Sequence, residues 1–221
     1  MTARRGARPA FFDLWSRFYD TAPVQWLTYR PVHDALLAAL RRTERERVLD
    51  VGCGTGILAD RICRELPRAR VSACDFSLGM LRRANARNRA LGWVQGDALR
   101  LPFRAGSFDA VVSCESFHWF ADPALALGEF FRVLAPGGRL FAALVNPPSA
   151  LASRAIHAGS RILGEPFYWP TRQHMRRQVE AAGFRLESQR QLYRIPAGLL
   201  LPPVLTIALR PASVSGGTRR L

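Results

Sequence analysis

Lysine is absent. All 32 basic residues are arginine against 17 acids, which gives a formal net charge of +15. This leaves two readings, a biased codon usage on a solvated surface or a positive field suited to acidic ligands. The arginines are scattered and no stripe interleaves them with aromatics, which argues against a nucleic-acid interface. A peripheral contact with an anionic surface stays open. Cysteine is scarce too. Cys53, Cys63, Cys74 and Cys114 contain no C-x-x-C pair. That excludes a zinc or disulfide framework, so no metal is expected, and it points to free thiols in a reducing, cytoplasmic compartment. No apolar run reaches the roughly 18 residues of a membrane span. The most apolar stretch, Ile195 to Leu209, is broken by Pro196, Pro202 and Pro203. Arg4, Arg5 and Arg8 precede no uninterrupted apolar segment, so no secretory signal is expected.

What is present alternates. A chain of 221 residues that is 48% apolar fits one domain with a sizeable core. Residues 1–10 are expected to be disordered and 213–221 to form a flexible tail. Between them, 11–45 read as an aromatic helical cap, 46–145 as a ligand-binding core, and 146–212 as an insert with closing strands. Val32 to Leu40 has the spacing of an amphipathic helix. Strands are expected at Val48–Val51, Val71–Cys74, Trp93–Gln95, Ala110–Ser113 and Arg139–Leu144. They alternate with helices running to Leu66, over Leu78–Leu91 and over Pro123–Leu134. This predicts an α/β fold, doubly wound, with a mostly parallel sheet and helices on both faces. Helices near 149–163 and 171–182 then precede strands at Phe184–Tyr193 and Val204–Leu209.

The densest signal is Asp50-Val51-Gly52-Cys53-Gly54-Thr55-Gly56, entered from Val48-Leu49. A strand ends in an acid, a turn carries alternate glycines, and an apolar helix follows. Glycines allow positive φ and remove the Cβ that blocks a ligand. A dinucleotide fingerprint needs G-x-G-x-x-G. Here Ile57 holds the third-glycine position and Gly56 comes one residue early, so a pyrophosphate cradle is disfavoured. A nucleoside-type cofactor without phosphates fits better.

Asp50-Val51-Gly52-Cys53-Gly54-Thr55-Gly56 resembles the first motif of the class I S-adenosylmethionine-dependent methyltransferases. Val71 to Leu81 resembles the second strand with its acidic end. Gly96 to Phe103 and Ser107 to Ser113 resemble the third and fourth strands, and Leu134-Ala135-Pro136-Gly137-Gly138-Arg139-Leu140 the turn into the fifth. The resemblance is closest to the small-molecule branch with the ubiquinone/menaquinone-type enzymes. It covers residues 46–145 closely and implies a seven-stranded, Rossmann-like sheet.

The resemblance implies that Gly52, Gly54 and Gly56 let backbone pass the methionine and ribose of S-adenosylmethionine. Asp50 is placed for its ammonium, or instead holds the turn's own N–H groups. Asp75 is placed to accept both ribose hydroxyls; the alternative is a helix cap, which Ser77 also offers. Phe76 and Met80 flank the adenine, with core packing the equal alternative for Met80. Asp97 meets the adenine amino group and the Ala98 N–H a ring nitrogen, unless Asp97 is a solvent-facing loop acid. Asp109 reads as a structural turn acid.

After the fourth strand comes Cys114-Glu115-Ser116-Phe117-His118-Trp119-Phe120. His118 is the candidate general base, since an ordinary imidazole titrates near neutrality; packing or substrate lining is the rival role. Trp15, Tyr19, Trp26 and Tyr29, with Trp119 and with Phe167, Tyr168 and Trp169, are candidates for a cap and acceptor wall. Asn146-Pro147-Pro148 partly matches the [DN]-P-P-[FYW] motif of nucleic-acid amino methyltransferases. It follows the fifth strand and lacks the aromatic, so it reads as a decoy. The expected function is methyl transfer from S-adenosylmethionine to O, N or C of a small, hydrophobic or aromatic molecule. An oxidoreductase, an RNA methyltransferase and a non-catalytic cofactor-binding protein are the rivals.

Overall fold

Strands buried on both faces lose the polar alternation of surface strands, and four segments of this chain read that way. In a computed structural model, which describes residues 29–43, 46–89, 91–147, 149–162, 169–192 and 203–212, they form the centre of a seven-stranded sheet. Expectations for residues 1–10, for Trp15, Tyr19, Trp26, Phe167 and Tyr168, and for 213–221 lie outside the described residues.

The elements are α1 (Arg30–Arg41), β1 (Arg47–Val51), α2 (Ile57–Glu65), β2 (Arg70–Asp75), α3 (Leu78–Arg87), β3 (Gly92–Gln95), β4 (Phe108–Cys114), α4 (Pro123–Val133), β5 (Leu134–Val145), α5 (Ala150–Ile162), α6 (Arg172–Ala181), β6 (Arg185–Gln191) and β7 (Pro203–Leu209). The strand order is β3-β2-β1-β4-β5-β7-β6. Neighbours from β3 to β5 pair parallel, while β7 runs antiparallel to both β5 and β6.

Strand periodicity sorts the core into two layers. Leu49 and Val51 of β1, with Leu140, Ala142 and Leu144 of β5, pack against Leu127 and Phe130 of α4 and Met175 and Val179 of α6. Val48, Phe141 and Ala143 point the other way, to Val32, Leu36, Leu37 and Leu40 of α1 and Leu58 and Ile62 of α2. The four α1 side chains are at most 2% exposed; their burial contributes roughly 1.5–3 kcal/mol each. The described part of the expected cap is therefore a layer helix on the sheet.

Local chemistry sets most helix starts. Ser77 Oγ accepts the Met80 N–H, Asp122 accepts from Ala124 and Leu125, and Thr171 accepts from His174, which are ordinary N-caps. Pro31 and Pro123 sit in the first turns of α1 and α4, where a missing N–H costs nothing.

Two boundaries differ from expectation. α3 stops at Arg87, not at Leu91, because Asn88 is extended, with φ −147°. Its amide donates to Asp60 and its carbonyl accepts from the Trp93 indole. β5 begins at Leu134, five residues before Arg139, because Leu134 already pairs with Phe108 across a bulge. Asp109 lies within β4 and meets the Arg47 guanidinium through both oxygens, at 2.7 and 3.1 Å; this agrees with a structural role.

Candidate functional site

The sheet reverses its direction of growth between β1 and β4, and a crevice opens at such a switch beyond the strands' carboxyl ends. Here the two strand exits are locked together. Glu115 leaves β4 at φ 51°, a conformation uncommon for a residue with a side chain. Its N–H donates to the Ala143 carbonyl at 2.7 Å. The next residue, Ser116, turns back and donates to the Val51 carbonyl at 3.0 Å, and its hydroxyl meets that of Ser113 at 2.8 Å. β2 holds the first turn from the other side. The Cys74 carbonyl accepts the N–H of Gly52 and of Cys53, at 2.8 and 3.2 Å.

The three glycines of the turn do different work. All have positive φ, yet only Gly54 faces open space, with no atom within 4 Å of an added Cβ. A Cβ on Gly52 would lie 2.4 Å from Ser116 Cβ; one on Gly56 would lie 2.4 Å from Trp93 Cη2 and 2.9 Å from Ala84 Cβ. Gly52 is thus needed to bring two loops together. Gly56 is needed to seat α2 against β3 and α3, which is the packing duty of a dinucleotide fingerprint's third glycine.

A cleft is lined by Asp50, Gly52, Cys53, Gly54, Thr55, Ile57 and Leu58, with His33 from α1 and Cys114 from β4. Asp50 is 1% exposed, and its Oδ2 has no hydrogen-bond partner. Burial, helped by the nearby Asp75 charge, pushes its carboxyl up to about 7. A buried acceptor left unpaired is costly and asks for a ligand donor. A cation there would both pair it and restore its charge.

Asp75 ends β2. Its Oδ2 accepts from Gly54 at 2.8 Å and its Oδ1 from Ser77 at 2.9 Å. Burial raises its carboxyl while these hydrogen bonds pull it down. It therefore ties the glycine turn to the start of α3, while Ser77 supplies the cap. The Phe76 backbone N–H acts on the carboxylate as well, and its two oxygens offer about four acceptor sites in all. Beside it, Phe76 is 48% exposed and Met80 only 4%. Asp97 is exposed and Ala98 buried. Asp97 Oδ1 accepts the Leu99 N–H at 2.9 Å, so this acid shapes its own loop. The loop is clamped from α4: Arg132 donates to the Leu101 and Phe103 carbonyls, and Glu129 accepts the Leu101 N–H.

His118 lies in a short 3₁₀ turn, Phe117–Trp119, after β4. Burial lowers its pKa to about 3, and its ring sits 5.1 Å from Trp119 and, edge-on, 5.7 Å from Trp169. An imidazole that resists protonation so strongly is a poor general base at neutral pH. The geometry favours packing or lining. Tyr29 lies one ring away from the cleft, 6.4 Å from His33.

Sequence reading missed His33 as a cleft residue. The signal was there: His33 lies four residues before Leu37, on the buried stripe of an amphipathic helix, and is 6% exposed.

Comparison with known proteins accords with this geometry. A methyltransferase domain family matches residues 49–142. A demethylmenaquinone methyltransferase from Thermus thermophilus is 46% identical over 107 residues, 47% of this chain and 49% of that protein. One from Corynebacterium kroppenstedtii is 32% identical over 167 residues, covering 66% of this chain and 71% of its own length. The chain thus spans about half the length of several curated relatives that it matches. A putative methyltransferase from Haloferax volcanii, solved with an activator protein, superimposes with a TM-score of 0.73 over 90% of this chain and 97% of that one, at 24% identity.

Proposed function

Because the chain belongs to the class I S-adenosylmethionine-dependent methyltransferase family, we propose that it transfers the cofactor's methyl group to O, N or C of a small, apolar or aromatic acceptor. The observation that carries this reading is the unpaired, buried Oδ2 of Asp50 beside a turn whose Gly54 faces open space. Although the chain is strongly basic, its cleft is lined by the Asp50 carboxylate, with Asp75 held against the lining residue Gly54, and a cofactor carrying an ammonium and a sulfonium suits them. A pyrophosphate does not.

Asp50 takes the ammonium, and the backbone of Gly52 to Gly54 runs along the methionine and ribose. Asp75 uses its remaining lone pairs for the ribose hydroxyls. Phe76 offers a ring face to the adenine from one side and Met80 its edge from the core. Asp97 and the Ala98 N–H read the adenine rim. When bound, the cofactor supplies an activated methyl group: the S–C bond breaks as the acceptor–C bond forms, the electron pair returns to sulfur, and any proton leaves to water. The protein aligns and dehydrates this exchange and needs little acid–base chemistry. The name of the relatives, demethylmenaquinone methyltransferase, supports an acceptor with an apolar ring.

Calorimetry with S-adenosylmethionine, S-adenosylhomocysteine and NAD tests the binding part; a response to NAD alone sinks it. Mass spectrometry of a panel of aromatic and quinol acceptors tests transfer. Tight cofactor binding without turnover on that panel would favour a non-catalytic binding protein.

A further inference from the structure

Asn146, the first residue after β5, is 7% exposed and belongs to a segment that the sequence offered only as a decoy. Its Nδ2 donates to the Pro170 carbonyl at 2.7 Å. That bond fixes the amide, because a flipped amide would set two acceptors against each other. The Oδ1 is therefore oriented, and it is buried with no hydrogen-bond partner. Like Asp50, it is a buried acceptor awaiting a donor, but two strands further along, beyond β4 on the side away from Asp75.

Its neighbours include Trp169, which the sequence offered as a candidate for the acceptor wall. Pro170, which holds the amide, follows Trp169. The Trp169 ring meets His118 edge-on at 5.7 Å, and its carbonyl accepts the Ser153 hydroxyl at 2.6 Å. β5 touches the 3₁₀ turn that carries His118. So the amide sits at the carboxyl end of the sheet and is tied through Pro170 to the segment whose indole packs against the His118 imidazole. A neutral carbonyl acceptor shielded from solvent is a strong selector for one donor, since water does not compete for it.

Resting on the methyltransferase reading, we propose that Asn146 Oδ1 accepts a hydrogen bond from a hydroxyl of the methyl acceptor, and so selects an aromatic acceptor bearing a hydroxyl on its ring. Asn146 is a specificity residue for the acceptor and takes no part in holding the cofactor.

The test uses the complex with S-adenosylhomocysteine and two probes of one shape, 1-naphthol and 1-methoxynaphthalene. If S-adenosylhomocysteine itself does not bind, the functional reading has failed, and this proposal with it. With it bound, calorimetry should show 1-naphthol preferred roughly tenfold, the worth of one neutral hydrogen bond. Asn146→Leu, of similar size, should abolish the preference and leave cofactor affinity unchanged. In labelled wild-type protein the Asn146 side-chain amide resonance should shift with 1-naphthol and not with the ether, a readout that needs no variant to fold. Equal affinity for both probes, binding of neither, a preference that survives Asn146→Leu, or an unmoved resonance would overturn the assignment.

Discussion

The Asp75 carboxylate accepts the Gly54 N–H at 2.8 Å, so the acid that ends β2 holds the one glycine of the first turn whose Cα faces open space. Its second oxygen holds the Ser77 N–H. Strand end, glycine turn and helix start are thus a single unit, and one side chain sets the relative position of all three.

Asp75→Ala should therefore do two things. Cofactor affinity should fall roughly five- to 150-fold, the cost of about 1–3 kcal/mol of lost acceptor contacts. The melting temperature should fall as well, because the Gly54 and Ser77 backbone N–H groups lose their acceptor. Calorimetry and a thermal melt on the same sample would show both; unchanged affinity in a folded variant would move the ribose site elsewhere.

Asp50 makes the site pH-dependent. Its carboxyl stays protonated up to about 7 when folded but ionises near 4 in an unfolded chain. Between those values the folded state binds more protons. Stability of the unliganded protein should thus decline as pH rises from about 4 to 7 and level off above. A cationic ligand has the opposite preference, because it favours the ionised carboxylate. Cofactor affinity should weaken by up to about tenfold per pH unit below 7, with one proton released on binding. Calorimetry in buffers of different ionisation enthalpy counts that proton. Asp50→Asn should flatten both profiles.

The glycines should separate by assay. Gly56→Ala drives a Cβ into Trp93 and Ala84 and should lower the melting temperature, with cofactor binding lost only as the fold weakens. Gly54→Ala meets no atom. It carries roughly 1 kcal/mol of strain from its positive φ and should chiefly weaken the cofactor. Equal melting temperatures for the two variants would contradict this division.

His118→Asn should leave the pH profile of methyl transfer without a new or missing limb between pH 5 and 8. A group held near 3 does not titrate there. Should an acidic limb near 6.5 vanish in the variant, His118 is the base after all.

Much of this was legible beforehand. Short apolar strands alternating with helices, and the acid–glycine turn, announced the sheet and its switch point, because both are local patterns. Division of labour among Gly52, Gly54 and Gly56 was not, since it depends on Trp93 and Ser116, which lie far along the chain. Nor was the buried state of His118, which rests on the Trp169 ring some fifty positions away. Nor was the orientation of the Asn146 amide, which is set by the Pro170 carbonyl 24 positions further along. Helix α3 ended early because Asn88 found partners in Trp93, five residues on, and in Asp60, which lies 28 positions back and outside any local window.

The order of strands leaves β3 and β6 at the margins of the sheet, and the two are guarded differently. β3 spans four residues, Gly92–Gln95, too short a template for another chain to zip onto. β6 is longer and nearly as open, but it carries Arg185, Glu187 and Arg190. Stacking a second copy there would set like charges and bulky guanidinium groups against one another. The sheet is thus terminated by brevity at one border and by charge at the other. Swapping Arg185 and Arg190 for valine would lift that protection at the β6 border and invite edge-to-edge pairing of two folded copies into a dimer.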